Sequence, residues 1–237
     1  MPALRKVGHK GADLIVPGNT LESFDAALAA GVDMIEFDVL PERGTGRLIL
    51  AHDPEAVGRG QPPTLEEGLA HFASAAFDGI ELDVDLKAPG YELRVVEALR
   101  AYGLVARALV SSQYMRSLLI ARDAEPALRL GWSVPRAGSD YTDSPLARPI
   151  ALAYLAVYRL VFPARARRAI RAGRCDAIMA HWRVVTPTLV KTVRNAGGEL
   201  YVWTVDERAQ IEQFEKLGVT GVITNDPRLF AAPAVSS

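Results

Sequence analysis

A closed (β/α)8 barrel filling residues 1–237 as a single α/β domain is the fold this sequence predicts, on three observations. Short apolar-rich runs alternate with longer amphipathic segments along the whole chain, and that alternation implies a parallel sheet. Eight such runs can be counted, which favours closure over an open doubly wound sheet. The length also matches the roughly 250 residues that such a barrel takes.

The strand runs, in order, are LRKVG (4–8), MIEFDV (34–39), ELDVDL (81–86), ARALVSS (106–112), LRLGWSV (128–134), AIMAHW (177–182), LYVWTV (200–205) and GVIT (221–224). A hairpin extension hangs on the second, because DVLPERGTGRLILAHD turns at Gly44 to Gly46 and runs back into LILAH. Between strands, TLESFDAALAAG (20–31) sets Leu21, Phe24, Ala27 and Leu28 on one face and stops at Gly31. The segments 64–74, 91–103, 186–198 and 207–218 follow the same plan.

A composition of 49% hydrophobic residues with a net charge of −1 is that of an ordinary globular protein. It offers no basic stripe for nucleic acid, so none is expected as a partner. The opening MPALRKVGHKG has no apolar run behind its basic residues, so no secretory signal is expected and the cytoplasm is the default compartment. Cys175, the lone cysteine, leaves no internal disulfide or Cys-based zinc cluster to form.

In a barrel of this kind chemistry collects where strands end. His9 and Lys10 end the first strand, Glu36 and Asp38 lie in the second, and His52 and Asp53 close its hairpin. Asp83, Asp85 and Lys87 come from the third, and Trp203 and Thr204 from the seventh. Residues two apart in a strand share a face, so Glu36 and Asp38 point one way while Ile35, Phe37 and Val39 point the other. Carboxylates gathered from neighbouring strands repel by about 1–4 kcal/mol per pair near 4 Å. A divalent cation resolves that cost, and an all-oxygen donor set selects a hard one, Mg²⁺ or Ca²⁺.

These residues also stand in a familiar order. GHKGADLIVPGNTLESFDAAL, followed by GVDMIEFDV, LAHD, LDVDLK, VWTVD and GVTGVITNDP, resembles the glycerophosphodiester phosphodiesterase family over nearly the whole chain. The resemblance implies a TIM barrel that cleaves phosphodiesters with a bound divalent cation and two histidines. It matches His9 and His52 to the acid/base pair, Glu36 and Asp38 to the Glu-x-Asp metal ligands, and Lys87 to a phosphate-holding lysine. Asp85 stands where the family usually has a third ligand, Glu.

Four positions depart from the family pattern. Lys10 follows His9 where the motif has Arg, and Gly18-Asn19-Thr20 replaces Glu-Asn-Thr, an exchange that reads as the joint loss of a supporting pair. Lys10 still neutralises a phosphate, as a point charge rather than a planar fork. Asp85 is shorter by a methylene, and Asn225 replaces an Asp in the closing Thr-Asp motif. Only ten residues separate His52 from Pro63, where relatives insert a subdomain, which implies a more open site.

Trp203 suits either a substrate contact or rim packing, whereas His71 and His181 have no partner motif and read as structural. The stretch 144–174 carries seven arginines and no acid behind an apolar run too short to cross a bilayer. It reads either as a core-facing helix with a solvated basic end or as a peripheral contact for anionic lipid, and Pro163 is expected to break it in two. The expected substrate is a small glycerophosphodiester. A lysophospholipid at a membrane surface, and a catalytically silent phosphate-binding barrel, are the alternatives.

Overall fold

The computed structural model describes residues 3–53, 61–136 and 148–231. The link after Asp53 and residues 144–147 of the basic stretch lie outside the described residues. Among the described residues nine strands form: β1 (Arg5–Gly8), β2 (Met34–Pro41), β3 (Leu48–Leu50), β4 (Glu81–Leu86), β5 (Ala108–Ser112), β6 (Arg129–Val134), β7 (Ala177–His181), β8 (Glu199–Trp203) and β9 (Gly221–Thr224). All but β3 pair in parallel, and β1 closes the ring by pairing with both β2 and β9. Val7 thus faces Met34 on one side and Ile223 on the other. The expected hairpin is present: β3 runs antiparallel to β2, and Gly44 and Gly46 take φ of +88° and +70° in its turn, values glycine adopts without steric cost.

Local sequence starts the helices where the apolar patterns place them. Thr20 and Thr64 cap α1 (Leu21–Ala29) and α2 (Leu65–Phe72) through reciprocal bonds with Ser23 and Glu67, and Thr186 caps α6 (Pro187–Asn195). The remaining helices are α3 (Glu92–Ala101), α4 (Met115–Ala124), α5 (Arg148–Arg171) and α7 (Arg208–Leu217). After β9 the helical position is filled by a 3-10 turn at Pro227–Phe230. Helix α4 had no clear sequence signal, because it lacks a side-chain cap and buries only Ser117, Leu118 and Ala121.

The period-two pattern of β2 separates two apolar layers. Ile35, Phe37 and Val39 face outward to the helices, where Phe37 meets Phe24 at 5.7 Å and Phe72 at 5.2 Å. Inside the barrel Val7, Met34, Leu109, Ala177, Met179, Tyr201 and Ile223 make a second core. Below it Arg129 pairs with Glu81 and Glu199, and Arg5 pairs with Glu81, closing the N-terminal mouth.

Pro163 does not break its helix; α5 runs unbroken from Arg148 to Arg171. Proline removes one backbone bond, but Phe162, Pro163, Ala166 and Ala169 are buried against the barrel, and Phe162 stacks on Tyr158 at 4.9 Å and meets Trp132 at 5.4 Å. Tertiary packing outweighs the local penalty.

Candidate active site

Strand register assembles the site. Across β2 and β4, Glu36 lies opposite Asp83 and Asp38 opposite Asp85, so four carboxylates occupy two successive levels inside the barrel. Glu36, Asp38 and Asp85 each bring an oxygen within 4.8 Å of the others, the spacing of a cation site. Lys87 holds its Nζ 2.6 Å from both Asp38 Oδ1 and Asp85 Oδ2, so an ammonium already serves as a stand-in cation between them. The donor set is all oxygen, and the residues fit a hard divalent ion.

Burial sets the charges. It pushes Glu36 well above the ordinary carboxylate value, with help from the Asp38 charge. Burial opposes ionisation of Asp38 too, yet the Lys87 ammonium holds that carboxyl well below its usual range. Lys87 is raised in turn by Asp85 and Asp38, against its own burial. Asp83, one level deeper, is pushed up to about 8 by burial and by Asp85.

The loop after β1 brings up His9 and Lys10. Lys10 adopts φ +50° and Asn19 φ +59°, left-handed values uncommon for residues other than glycine, and both are held by hydrogen bonds. The Lys10 N–H donates to Glu36 Oε2 at 2.8 Å, and the Lys10 carbonyl accepts from Asn19 N and Ser23 Oγ. Asn19 in turn donates to Asp38 Oδ2 at 2.9 Å and accepts from Asp38 N at 3.0 Å. His9 sits with Nε2 3.8 Å from Glu36 Oε2 and Nδ1 2.5 Å from Asn225 Oδ1, and burial lowers its pKa against the pull of Asp38. His52 lies on the rim after β3, with 55% of its side chain exposed and Nδ1 3.7 Å from Asp53 Oδ2. Trp203 donates its indole N–H to the Met179 carbonyl and meets the His181 ring edge-on at 5.1 Å, which makes it a fixed wall of the rim.

Three contributors escaped the sequence reading. Asn19 clamps Asp38, and Asp206, carried in VWTVD, holds Asn225. Asp13 pairs with Lys10 Nζ at 3.5 Å and accepts from Gly18 N at 2.8 Å. A Cβ at position 18 would lie 2.6 Å from Asp13 Oδ1 and 2.7 Å from Lys10 Cβ, so the acidic partner of Lys10 comes from position 13 and position 18 must be bare. His71, by contrast, bonds Asp25 at 2.8 Å on the barrel's flank, as a structural histidine would. Cys175 is buried, with its thiol pushed up to about 12.

Comparison with known proteins places this geometry. A glycerophosphodiester phosphodiesterase of Caldanaerobacter subterraneus subsp. tengcongensis is 27% identical over 256 residues, covering 93% of this chain and 93% of its own. Among solved structures, a candidate glycerophosphoryl diester phosphodiesterase from Silicibacter pomeroyi superposes with a TM-score of 0.74 at 21% identity, over 97% of this chain and 92% of that one. A phosphodiesterase of Oleispira antarctica, solved with the product sn-glycerol-3-phosphate, gives 0.70 at 18% identity, over 95% and 94%. The family model for glycerophosphoryl diester phosphodiesterases matches residues 9–61 and 93–229, leaving Asp85 and Lys87 in the gap between. With a match over most of its length and an eight-stranded barrel of the same build, the chain belongs to the glycerophosphoryl diester phosphodiesterase family.

Proposed function

We propose that this chain hydrolyses glycerophosphodiesters to glycerol 3-phosphate and an alcohol. The observation that carries the reading is the convergence of Glu36, Asp38 and Asp85 on one another, with the Lys87 ammonium between the two aspartates, His9 beside Glu36 and His52 on the same rim. In it, Glu36, Asp38 and Asp85 hold a divalent cation, Mg²⁺ or Ca²⁺, which when bound supplies positive charge to the phosphoryl oxygens. Lys87 and Lys10 bind and orient the phosphate, with negative charge growing on it in the transition state. One histidine takes a proton from the nucleophile and the other gives one to the departing alkoxide. Trp203 walls the substrate's side of the rim.

Relatives that bear the activity in their names support the substrate class, as does the neighbour that holds glycerol 3-phosphate. The test is release of glycerol 3-phosphate from glycerophosphocholine by the purified protein. No release would leave a silent phosphate-binding barrel, and turnover that survives both EDTA and His9→Ala would defeat the roles given to the cation and to His9.

A specific observation favours lipid as the surface from which substrate arrives. Arg159 Nε donates to the Arg183 carbonyl at 2.7 Å, which sets Arg159 level with the catalytic end of β7. The eleven residues of α5 before it continue roughly 16 Å past that level at ~1.5 Å per residue. Val157 there is 61% exposed, beside exposed Leu152 and Tyr154, and Leu160, 82% exposed, continues the apolar surface just after Arg159 with Val161. The described helix carries no acidic residue, so its charge suits an anionic surface better than a second copy of itself. No helix among the described residues is long and apolar enough to cross a membrane. A peripheral contact of a cytoplasmic enzyme with lysophospholipid-bearing membrane fits these features.

A further inference from the structure

Behind His9 stands a series of hydrogen bonds whose direction is fixed by which groups are able to donate. Asp206, just beyond β8, offers only acceptors as a carboxylate. Its Oδ1 receives Thr224 Oγ1 at 3.0 Å and Asn225 N at 2.8 Å, and its Oδ2 receives Asn225 Nδ2 at 2.7 Å. An amide has one donating and one accepting end. With the NH2 committed to Asp206, the Asn225 carbonyl oxygen faces His9 Nδ1 at 2.5 Å. A carbonyl oxygen only accepts, so Nδ1 must carry the hydrogen, and in the neutral ring the lone pair is left on Nε2. Nε2 is the nitrogen turned toward the carboxylate cluster, 3.8 Å from Glu36 Oε2.

We propose that Asp206 is a positioning residue that, through Asn225, locks His9 in the Nδ1–H tautomer so that Nε2 is the atom at which a proton is taken up or given. The inference rests on the reading of His9 as a proton carrier. It also accounts for asparagine at position 225. An aspartate there presents an accepting oxygen whichever way its carboxylate turns, whereas an asparagine amide turned over presents its NH2 and selects the opposite tautomer. That turned amide would also set its carbonyl against the Asp206 carboxylate, two acceptors face to face. Asp206 therefore supplies the orientation that asparagine cannot hold for itself, and the neutral amide does so without placing a second charge against the ring.

The experiment begins with ¹⁵N-edited NMR of the imidazoles of the intact protein, with the His9 signals assigned by their loss in His9→Gln. The neutral ring should show a protonated Nδ1 and an unprotonated Nε2; the reverse pattern overturns the proposal without any appeal to a variant's folding. Asp206→Ala should lower kcat for glycerophosphocholine on the order of 10- to 100-fold with KM changed less than about threefold. Adding Asn225→Asp to Asp206→Ala should restore most of the lost kcat, a rescue that an Asp206 needed only for folding would not show. Unchanged kcat in Asp206→Ala, or a folded double variant with no recovery, overturns the proposal. If the tautomer is as stated but His9→Ala keeps full turnover, the proton-carrying reading of His9 is the part that fails, and the positioning role falls with it.

Discussion

Glu36 and Asp38 are two acids in an otherwise apolar strand, and their shared inward face is what makes them useful. Replacing Glu36 with Gln, or Asp38 with Asn, should cut cation-dependent turnover by more than about 100-fold, since in the proposed function several kcal/mol of transition-state charge stabilisation depends on the ion these carboxylates would hold. Glu36→Gln should leave the cation-free protein folded and at least as stable, because the wild-type carboxyl is already held well above its usual value by burial and by Asp38. Thermal melts and turnover in the same buffer check both parts. The histidines should separate by leaving group. A nitrophenolate leaves without needing a proton, so the variant lacking the general acid should recover on such a diester, by roughly 10²-fold or more relative to the natural substrate. His9→Ala and His52→Ala compared on the two substrates assign the roles, and equal losses on both would refute the division of labour.

Between elements, a buried acid joins α3 to α4. Glu92 accepts from Ser117 Oγ at 2.5 Å and from Gly90 N at 2.9 Å. Burial opposes its charge, but these bonds hold it below its ordinary 4.5. Ser117→Ala should destabilise the protein by about 1–3 kcal/mol in urea melts near neutral pH. A carboxyl held low stabilises the fold above its unfolded value and loses that contribution as pH falls through the folded one. The gap between wild type and variant should therefore narrow below about pH 4.5 and not above it. Helix α5 offers a second test. Arg165, Arg167, Arg168 and Arg171 are exposed on its lower half, well below the projecting apolar end. If the helix lies along an anionic surface, replacing the four with Gln should weaken vesicle sedimentation strongly, at about 1 kcal/mol for each arginine that touches the surface. Replacing Val157 and Leu160 with Gln should weaken it as well, while hydrolysis of a small soluble diester stays unchanged. High salt should mimic the arginine variant and weaken the Val157 and Leu160 variant further, because the attraction left to it is electrostatic.

For the whole molecule, closure of the barrel around four carboxylates builds a cost into the cation-free fold that a bound ion should remove. Mg²⁺ or Ca²⁺ at 100 times its dissociation constant should add about 2.7 kcal/mol, hence roughly 5–10 °C in Tm for a chain of this size. EDTA should reverse the shift, and Asp38→Asn should abolish it. Scanning calorimetry with each ion in turn also ranks the two cations.

Strand order, the hairpin after β2 and the shared face of Glu36 and Asp38 were legible because they depend on period-two patterning and turn residues, which act over a few positions. The meeting of His9, Lys10, Asp85 and Lys87 was legible only through motifs and the rule that strand ends converge. Three things were decided by tertiary contact alone. Pro163 stays inside a helix because burial of Phe162 and Ala166 against the wall outweighs one lost backbone bond. Lys10 takes its acid from Asp13, since a left-handed loop folds residue 18 into the space where a side chain would collide. Asp206 and Asn225 orient His9 across 216 residues of chain, and no local pattern encodes a hydrogen bond between positions that only the closing of the barrel brings together.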